Sequence, residues 1–475
     1  MTVEPIGLIA LLVGMIGLFV EQSFIVYAFF ASTLLGAAAA LILNSLGGAT
    51  IQPAHLLLGF LTVKLLASRN VRAGALRAVA VGSPGFWLLV TAGYAAMTAY
   101  LLPRFFQGQT FAFTVRAQGE NYAAPLAPST SNLTQSVYFI GDCICFLALS
   151  GFGSSEGGRK CLGRAALMCV ILNLGFAVLD IATYATNTGE LLSFIRNSTY
   201  SMMSDTEVAG FKRVVGSFVE ASSFGYWTLG YFAFATSLWL SGIAMRLTLV
   251  LSVLSFLALL FSTSTTAYVG MSGYLFVEFV IVAVNFLFGR VRPQMLIFLI
   301  CVPIGLALVV VAICINDASY AYVANLLDEL VLNKMSTGSG IERSTWNNQA
   351  IQNFLDTFGF GVGNGSVRAS SFPVAVIASL GFLGAATYAS FLLAIWFRKA
   401  KPVPPIISAT QRAGRSACLA WLIAASASGS FIDLGLPFFA FAALACAECV
   451  GVRTRSASAM RTELLYRRDV STALD

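Results

Sequence analysis

Residues 294–315 read QMLIFLICVPIGLALVVVAICI, a run with no charged side chain. Coiled as an α-helix it reaches across about 30 Å of hydrocarbon while satisfying every backbone hydrogen bond within itself. The run has no two-residue alternation, so it does not describe a strand of an outer-membrane barrel. Working outward from it, similar apolar runs recur along the chain, at 6–20, 24–44, 51–67, 84–102, 134–153, 165–186, 223–244, 247–262, 267–288, 373–397, 416–430 and 435–451. With 294–315 they predict an all-α polytopic membrane protein of about thirteen transmembrane helices (12–14), forming a single membrane domain over 1–475.

The composition agrees. Hydrophobic residues make up 58% and charged residues 10% of the chain, against about 25% charged in an ordinary soluble protein. The net charge of +7 resembles a nucleic-acid signal until the charges are placed. Most of the 28 Lys and Arg fall in short loops on one side of the predicted spans, among them Arg69, Arg72, Arg77, Arg159, Arg246, Arg292, Arg398 and Arg412, and in the tail 452–475. That asymmetry marks the cytoplasmic side, and it argues against a nucleic-acid partner. The same rule puts the N-terminus and three long loops, 103–133, 187–222 and 316–372, outside. Residues 1–5 lack a basic leader region, so 6–20 is expected to be a retained span. None of the nine Cys falls in the long loops, so no disulfide framework is expected there.

Five ionisable residues lie in spans: His55, Asp142, Asp180, Glu278 and Glu448. Intramembrane charges are costly and therefore candidates for function. They share no spacing here, and structural pairing is the expectation for each, with Asp142 and Glu278 the best functional candidates.

The external loops carry the clearer chemistry. Lys212-Arg213 stands near the membrane surface, followed by Gly216 and by Glu220 at the mouth of a span. This arrangement suits an anion and a proton acceptor. In the longest loop, 318–333 reads as a surface helix. A second helix is expected to start at Arg343 and to carry Trp346, Ala350, Phe354 and Phe358 on one face. Gly359, Gly361, Gly363 and Gly365 then lead through Arg368, Ser370 and Ser371 into the span opening at Phe372-Pro373. Alternating glycines permit close backbone approach to a ligand. Ser370 or Ser371 can cap the following helix, whose N-terminus with a nearby arginine suits a phosphate.

Three blocks in this order resemble the superfamily of bacterial O-antigen polymerases and O-antigen ligases: Arg213-x-x-Gly216-x-Phe218 with Ser222-Ser223-Phe224-Gly225; Ser262-Thr263-Ser264-Thr265-Thr266; and Arg343-x-x-Trp346 running through the glycines to Gly381-Phe382-Leu383-Gly384. They cover roughly residues 205–390. The resemblance implies a GT-C-like membrane enzyme of the bacterial inner membrane. It would act outside, by metal-independent inverting transfer, on undecaprenyl-diphosphate-linked glycans, without a cofactor and alongside a chain-length regulator. Ligases of the superfamily carry a His-Asn pair after the glycine-rich segment. Here the stretch is Arg368-Ala369-Ser370-Ser371, which is similar to exopolysaccharide polymerases instead. In that reading Arg213, Arg343 and Glu220 are catalytic, and Lys212, Arg368, Trp346, Ser370, Ser371 and Gly363 bind substrate; Glu342 and Asp356 are further carboxylates to consider. The rivals are a ligase, a lipid-linked oligosaccharide transporter without bond chemistry, and a structural subunit of a secretion complex.

The side assignment is testable. In a background without reactive cysteines, single cysteines at Thr206 and Ser339 should react with an impermeant thiol reagent in cells whose outer membrane is permeabilised, and one at Ser408 should not. The reverse labelling would invert the orientation.

Overall fold

The computed structural model describes residues 2–43, 49–113, 122–198, 203, 206–208, 211–289, 291–315, 338–397 and 403–447. The expected surface helix 318–333, Glu448, the basic residues Arg398, Lys399 and Lys401, and the tail 452–475 lie outside them. Within the described residues a helix occupies each of the thirteen predicted intervals: α1 (Pro5–Phe19), α2 (Gln22–Ser32), α3 (Pro53–Leu66), α5 (Pro84–Phe105), α6 (Thr130–Phe152), α7 (Glu156–Ala185), α8 (Ala221–Leu240), α9 (Met245–Phe261), α10 (Thr265–Leu287), α11 (Pro293–Ile315), α13 (Phe372–Phe397), α14 (Pro405–Ser428) and α15 (Leu436–Cys446). Two more, α4 (Arg69–Ala78) and α12 (Gly338–Asp356), lie between them. By length and composition α5, α6, α7, α10 and α13 can each cross a membrane, and α1, α2, α3, α9 and α15 are shorter apolar helices. The outer faces carry exposed apolar side chains such as Phe276, Leu287 and Phe397, which suits contact with lipid.

The centre of the bundle is α15. Every residue from Leu436 to Cys446 is buried, as a helix that is apolar all round must be. Phe438, Phe439 and Phe441 meet Trp421 of α14, Phe391 of α13 and Tyr231 and Phe234 of α8 in edge-on, tilted or stacked pairs. Gly230 lets α8 approach the Trp421 ring, since a Cβ there would fall 2.0 Å from that indole.

One predicted span is not a continuous helix. The interval 24–44 is helical only to Ser32; beyond a turn, Leu41–Leu43 pairs antiparallel with Ala49–Ile51 and with Thr2–Val3. Tertiary hydrogen bonds replace the helical ones. Ala37 N–H donates to the Ser217 carbonyl at 3.1 Å, Ala39 N–H to Asn197 Oδ1 at 2.9 Å, and Ser198 N–H to the Ala37 carbonyl at 3.1 Å. The apolar composition of 33–44 is the same whether its backbone bonds run along a helix or sideways, so hydropathy does not separate the two.

A second correction concerns the glycine-rich segment. It does not stand open to a ligand; it is a strap threaded between α5, α6 and α13. Gly359, Gly361, Gly363 and Gly365 all have φ between +79° and +91°, a region that side chains with a Cβ avoid. Helix α13 breaks at Gly381 (φ 64°, ψ −168°). The break frees the carbonyls of Ala378 and Ser379, which accept from Val362 N–H (2.8 Å) and Gly363 N–H (3.0 Å), while Phe382 N–H donates to the Gly359 carbonyl at 2.9 Å. Asn132 of α6 donates through Nδ2 to the Asn364 carbonyl and to Ser366 Oγ, both at 2.7 Å. A kink in one helix is thus stitched to the strap that precedes it.

Alanine at Gly361 or Gly365 would set a Cβ 2.7 Å from Gly381 N or 2.5 Å from the Ser131 carbonyl, with backbone on both sides. Each substitution should cost more than about 2 kcal/mol and remove most of the folded peak in size-exclusion of detergent-extracted protein. Gly59→Ala and Gly93→Ala, which have open space around them, should behave as wild type.

Candidate functional site

The strap ends in Arg368 and Ser370, and its position builds one wall of a cavity of about 730 Å³. The other walls come from the start of α3, the segment leading into α8, one face of α12, and residues 429–437 between α14 and α15. The long loops therefore converge on this end of the bundle. Loop 103–133 joins in as well: the Phe111 carbonyl accepts from Gln349 Nε2 (2.7 Å) and Asn353 Nδ2 (2.6 Å) of α12, and the Phe113 carbonyl from Arg368 N–H (2.9 Å).

Two guanidinium groups face this cavity, Arg343 and Arg368. Arg368 lies over the Trp346 ring at 3.9 Å, and its Nε has no hydrogen-bond partner. Burial draws its pKa below the ordinary arginine value, Arg343 adds to the effect, and Glu342 opposes it. Among the described residues neither arginine forms an ion pair. Two like charges held together in a partly desolvated wall give a site that an anion relieves. Helix α12 begins at Gly338 rather than at Arg343. Arg343 and Trp346, three residues apart, therefore both turn to the cavity from inside a helix.

Glu220 lines the same cavity; it stands at the N-terminal edge of α8 and accepts from Ser222 Oγ. Ser370 also lines it, with its backbone N–H donated to Asn347 Oδ1 at 2.7 Å. Arg213 is set one step back from the lining. Its Nε donates to Thr263 Oγ1 at 2.9 Å and its Nη2 to the Thr263 carbonyl at 3.3 Å. Burial lowers its pKa and the nearby Glu220 carboxylate opposes the shift. The first two sequence blocks thus touch, through Arg213 and the turn between α9 and α10.

Four of the predicted residues serve the scaffold. Lys212 Nζ and Arg196 Nη2 both bind Asp180 Oδ1, at 2.8 and 2.6 Å, and the N–H groups of Val215 and Gly216 donate to Asp180 Oδ2 at 2.7 and 3.0 Å. Asp180 is buried, so Lys212 is committed to this cluster and not to the cavity. Gly363 packs against α5, where a Cβ would meet the Thr98 carbonyl at 2.7 Å. Ser371 uses its carbonyl to accept Ala375 N–H in the first turn of α13. Asp356 accepts from Thr110 and Gln352.

Sequence reasoning named only His55 among a further set of lining residues. Gln52, His55, Tyr138, Tyr226 and Asp433 all line the cavity. The signal for His55 was its rank as the only imidazole in the chain. Asp433 had none beyond a polar break between two apolar runs. Among the described residues no three or more His, Cys, Asp or Glu side chains are placed to hold a metal ion.

Comparison with family models, with curated proteins and with solved structures gives no match to the chain. What fold and site define together is a class: a mostly helical, membrane-embedded protein with a polar, arginine-bearing cavity where its long loops meet.

The Asp180 cluster makes a stability prediction. Asp180→Ala takes the carboxylate away from two buried cations and two backbone N–H groups, a loss of about 3–5 kcal/mol. It should appear as a lowered unfolding temperature in detergent. Glu156→Gln removes only the exposed pair with Lys160 and should leave that temperature unchanged.

Proposed function

We propose that the protein polymerises undecaprenyl-diphosphate-linked oligosaccharide repeat units on the outer face of the bacterial inner membrane. The chemistry would be inverting glycosyl transfer of the O-antigen polymerase kind. The observation that carries this reading is the pair Arg343 and Arg368, which line one cavity and, among the described residues, form no ion pair. In such a transfer an acceptor hydroxyl attacks the anomeric carbon, and the bond to the lipid diphosphate breaks. Negative charge grows on the leaving phosphate, and cations already placed where it grows are the largest available source of catalysis. A planar guanidinium grips two phosphate oxygens at once, which an ammonium does not.

Trp346 and Arg368 form a flat stacked surface beside that charge, suited to the first sugar of the donor. Glu220 offers a carboxylate to the acceptor hydroxyl, and Arg213 keeps a positive charge behind it. A cavity of about 730 Å³ is in the size range of sites for compact organic ligands. It accommodates the reacting sugars, while the prenyl chain stays in the bilayer. A transporter has no need of such a fixed pair of cations beside a carboxylate.

In cells that depend on this chain for polymer, Arg343→Lys and Arg368→Lys should each lower polymer at least about 100-fold. Protein level and insertion should stay normal, and short lipid-linked units should accumulate. The double substitution should be little worse than either single one, since residues acting on one group are not additive. Normal polymer from both single variants would remove this reading and leave the transporter in front.

A further inference from the structure

Part of the cavity lining is built from residues that the reading above leaves unused. His55 sits in the first turn of α3 with its ring against Tyr138 at 5.0 Å. Its Nδ1 has no hydrogen-bond partner. Asp433 lines the cavity beside it, near enough to act on the imidazole electrostatically. One oxygen of Asp433 accepts from Gly435 N–H at 2.5 Å. Behind Asp433, and fully buried, is Asp142 of α6. Neither oxygen of Asp142 meets a donor group, yet its carboxyl is within hydrogen-bonding reach of Asp433.

The phenol of Tyr388 donates elsewhere, to the Ile432 carbonyl at 2.9 Å, and leaves both oxygens of Asp142 without a donor. Imidazole, carboxylate and buried carboxyl therefore run in series from the cavity into the bundle.

We propose that His55, Asp433 and Asp142 form the proton-accepting relay of this cavity, with His55 as the group that deprotonates the acceptor hydroxyl. The proposal rests on the glycosyl-transfer reading and replaces Glu220 as the base. One Glu220 oxygen already accepts from Ser222 Oγ and its charge faces Arg213, whereas the His55 imidazole lines the cavity with no hydrogen-bond partner at Nδ1. In the step, the acceptor O–H bond breaks and its proton goes to the His55 imidazole. The acceptor oxygen bonds the anomeric carbon, and the electron pair of the broken anomeric C–O bond leaves with the lipid diphosphate. Asp433 faces the resulting imidazolium, and the proton returns to water through the cavity mouth. Imidazole is suited to this exchange near neutral pH.

The test uses the purified full-length chain without a histidine tag, supplied with lipid-linked units extracted from cells lacking it. His55→Gln and Asp433→Asn should each slow polymer formation at least about 100-fold while binding undecaprenyl diphosphate as wild type does. Because His55 is the only His, diethyl pyrocarbonate, which acylates imidazole, should inactivate folded wild-type protein as well, so the result does not hang on how a variant folds. His55→Gln working within threefold of wild type, or wild type surviving acylation at His55, would overturn the relay. Wild type that neither binds undecaprenyl diphosphate nor forms polymer would overturn the transfer reading itself, and the relay with it.

Discussion

The carboxylate of Asp180 gathers two cations and two backbone N–H groups at one buried point near the C-terminal end of α7. A buried charge is stable only when fully matched, so this cluster fixes the path of residues 212–217 against α7. Much follows from that path. Arg196, brought in by Asp180, also donates to the Gly216 carbonyl. Ser217 bonds the Leu34 carbonyl at 2.6 Å and accepts Ala37 N–H, which anchors the non-helical chain after α2. Glu220 then arrives at the cavity rim and Arg213 at the turn between α9 and α10. Lys212, adjacent to Arg213 in sequence, points the other way because successive residues of an extended segment face opposite sides.

The glycine strap does for the second wall what Asp180 does for the first. It replaces side-chain volume with backbone contact, so that a loop lies within hydrogen-bonding distance of a broken helix. The break at Gly381 supplies the acceptors and the strap supplies the donors. Arg368 is delivered to the cavity as the residue that follows this rigid run. The glycines are thus needed for backbone geometry, and the ligand-facing groups are the side chains just beyond them.

The cavity lining combines two chemistries. Arg343, Arg368 and Trp346 bring positive charge and a flat aromatic surface. His55, Asp433, Tyr138 and Tyr226 bring groups that move protons or bind hydroxyls. In the proposed reaction the first group receives the leaving diphosphate and the second the attacking hydroxyl. A single cavity holding both accounts for why helices from both halves of the chain contribute to it.

The sequence by itself determined the class, the place of a helix in each apolar interval, the loops that bear the site, and Arg343, Trp346, Arg368 and Glu220 as residues worth naming. These are readable because hydrocarbon demands long apolar helices, and because charge next to the membrane is rare enough to notice. Only the tertiary structure decided where Lys212 points, that residues 33–44 leave the helix, that Gly363 packs on α5, and that His55, Asp142 and Asp433 are neighbours. Those facts join positions as far apart as α3 and the α14–α15 turn. No local spacing records such a meeting, because a helix bundle sets lateral neighbours by packing and not by sequence distance.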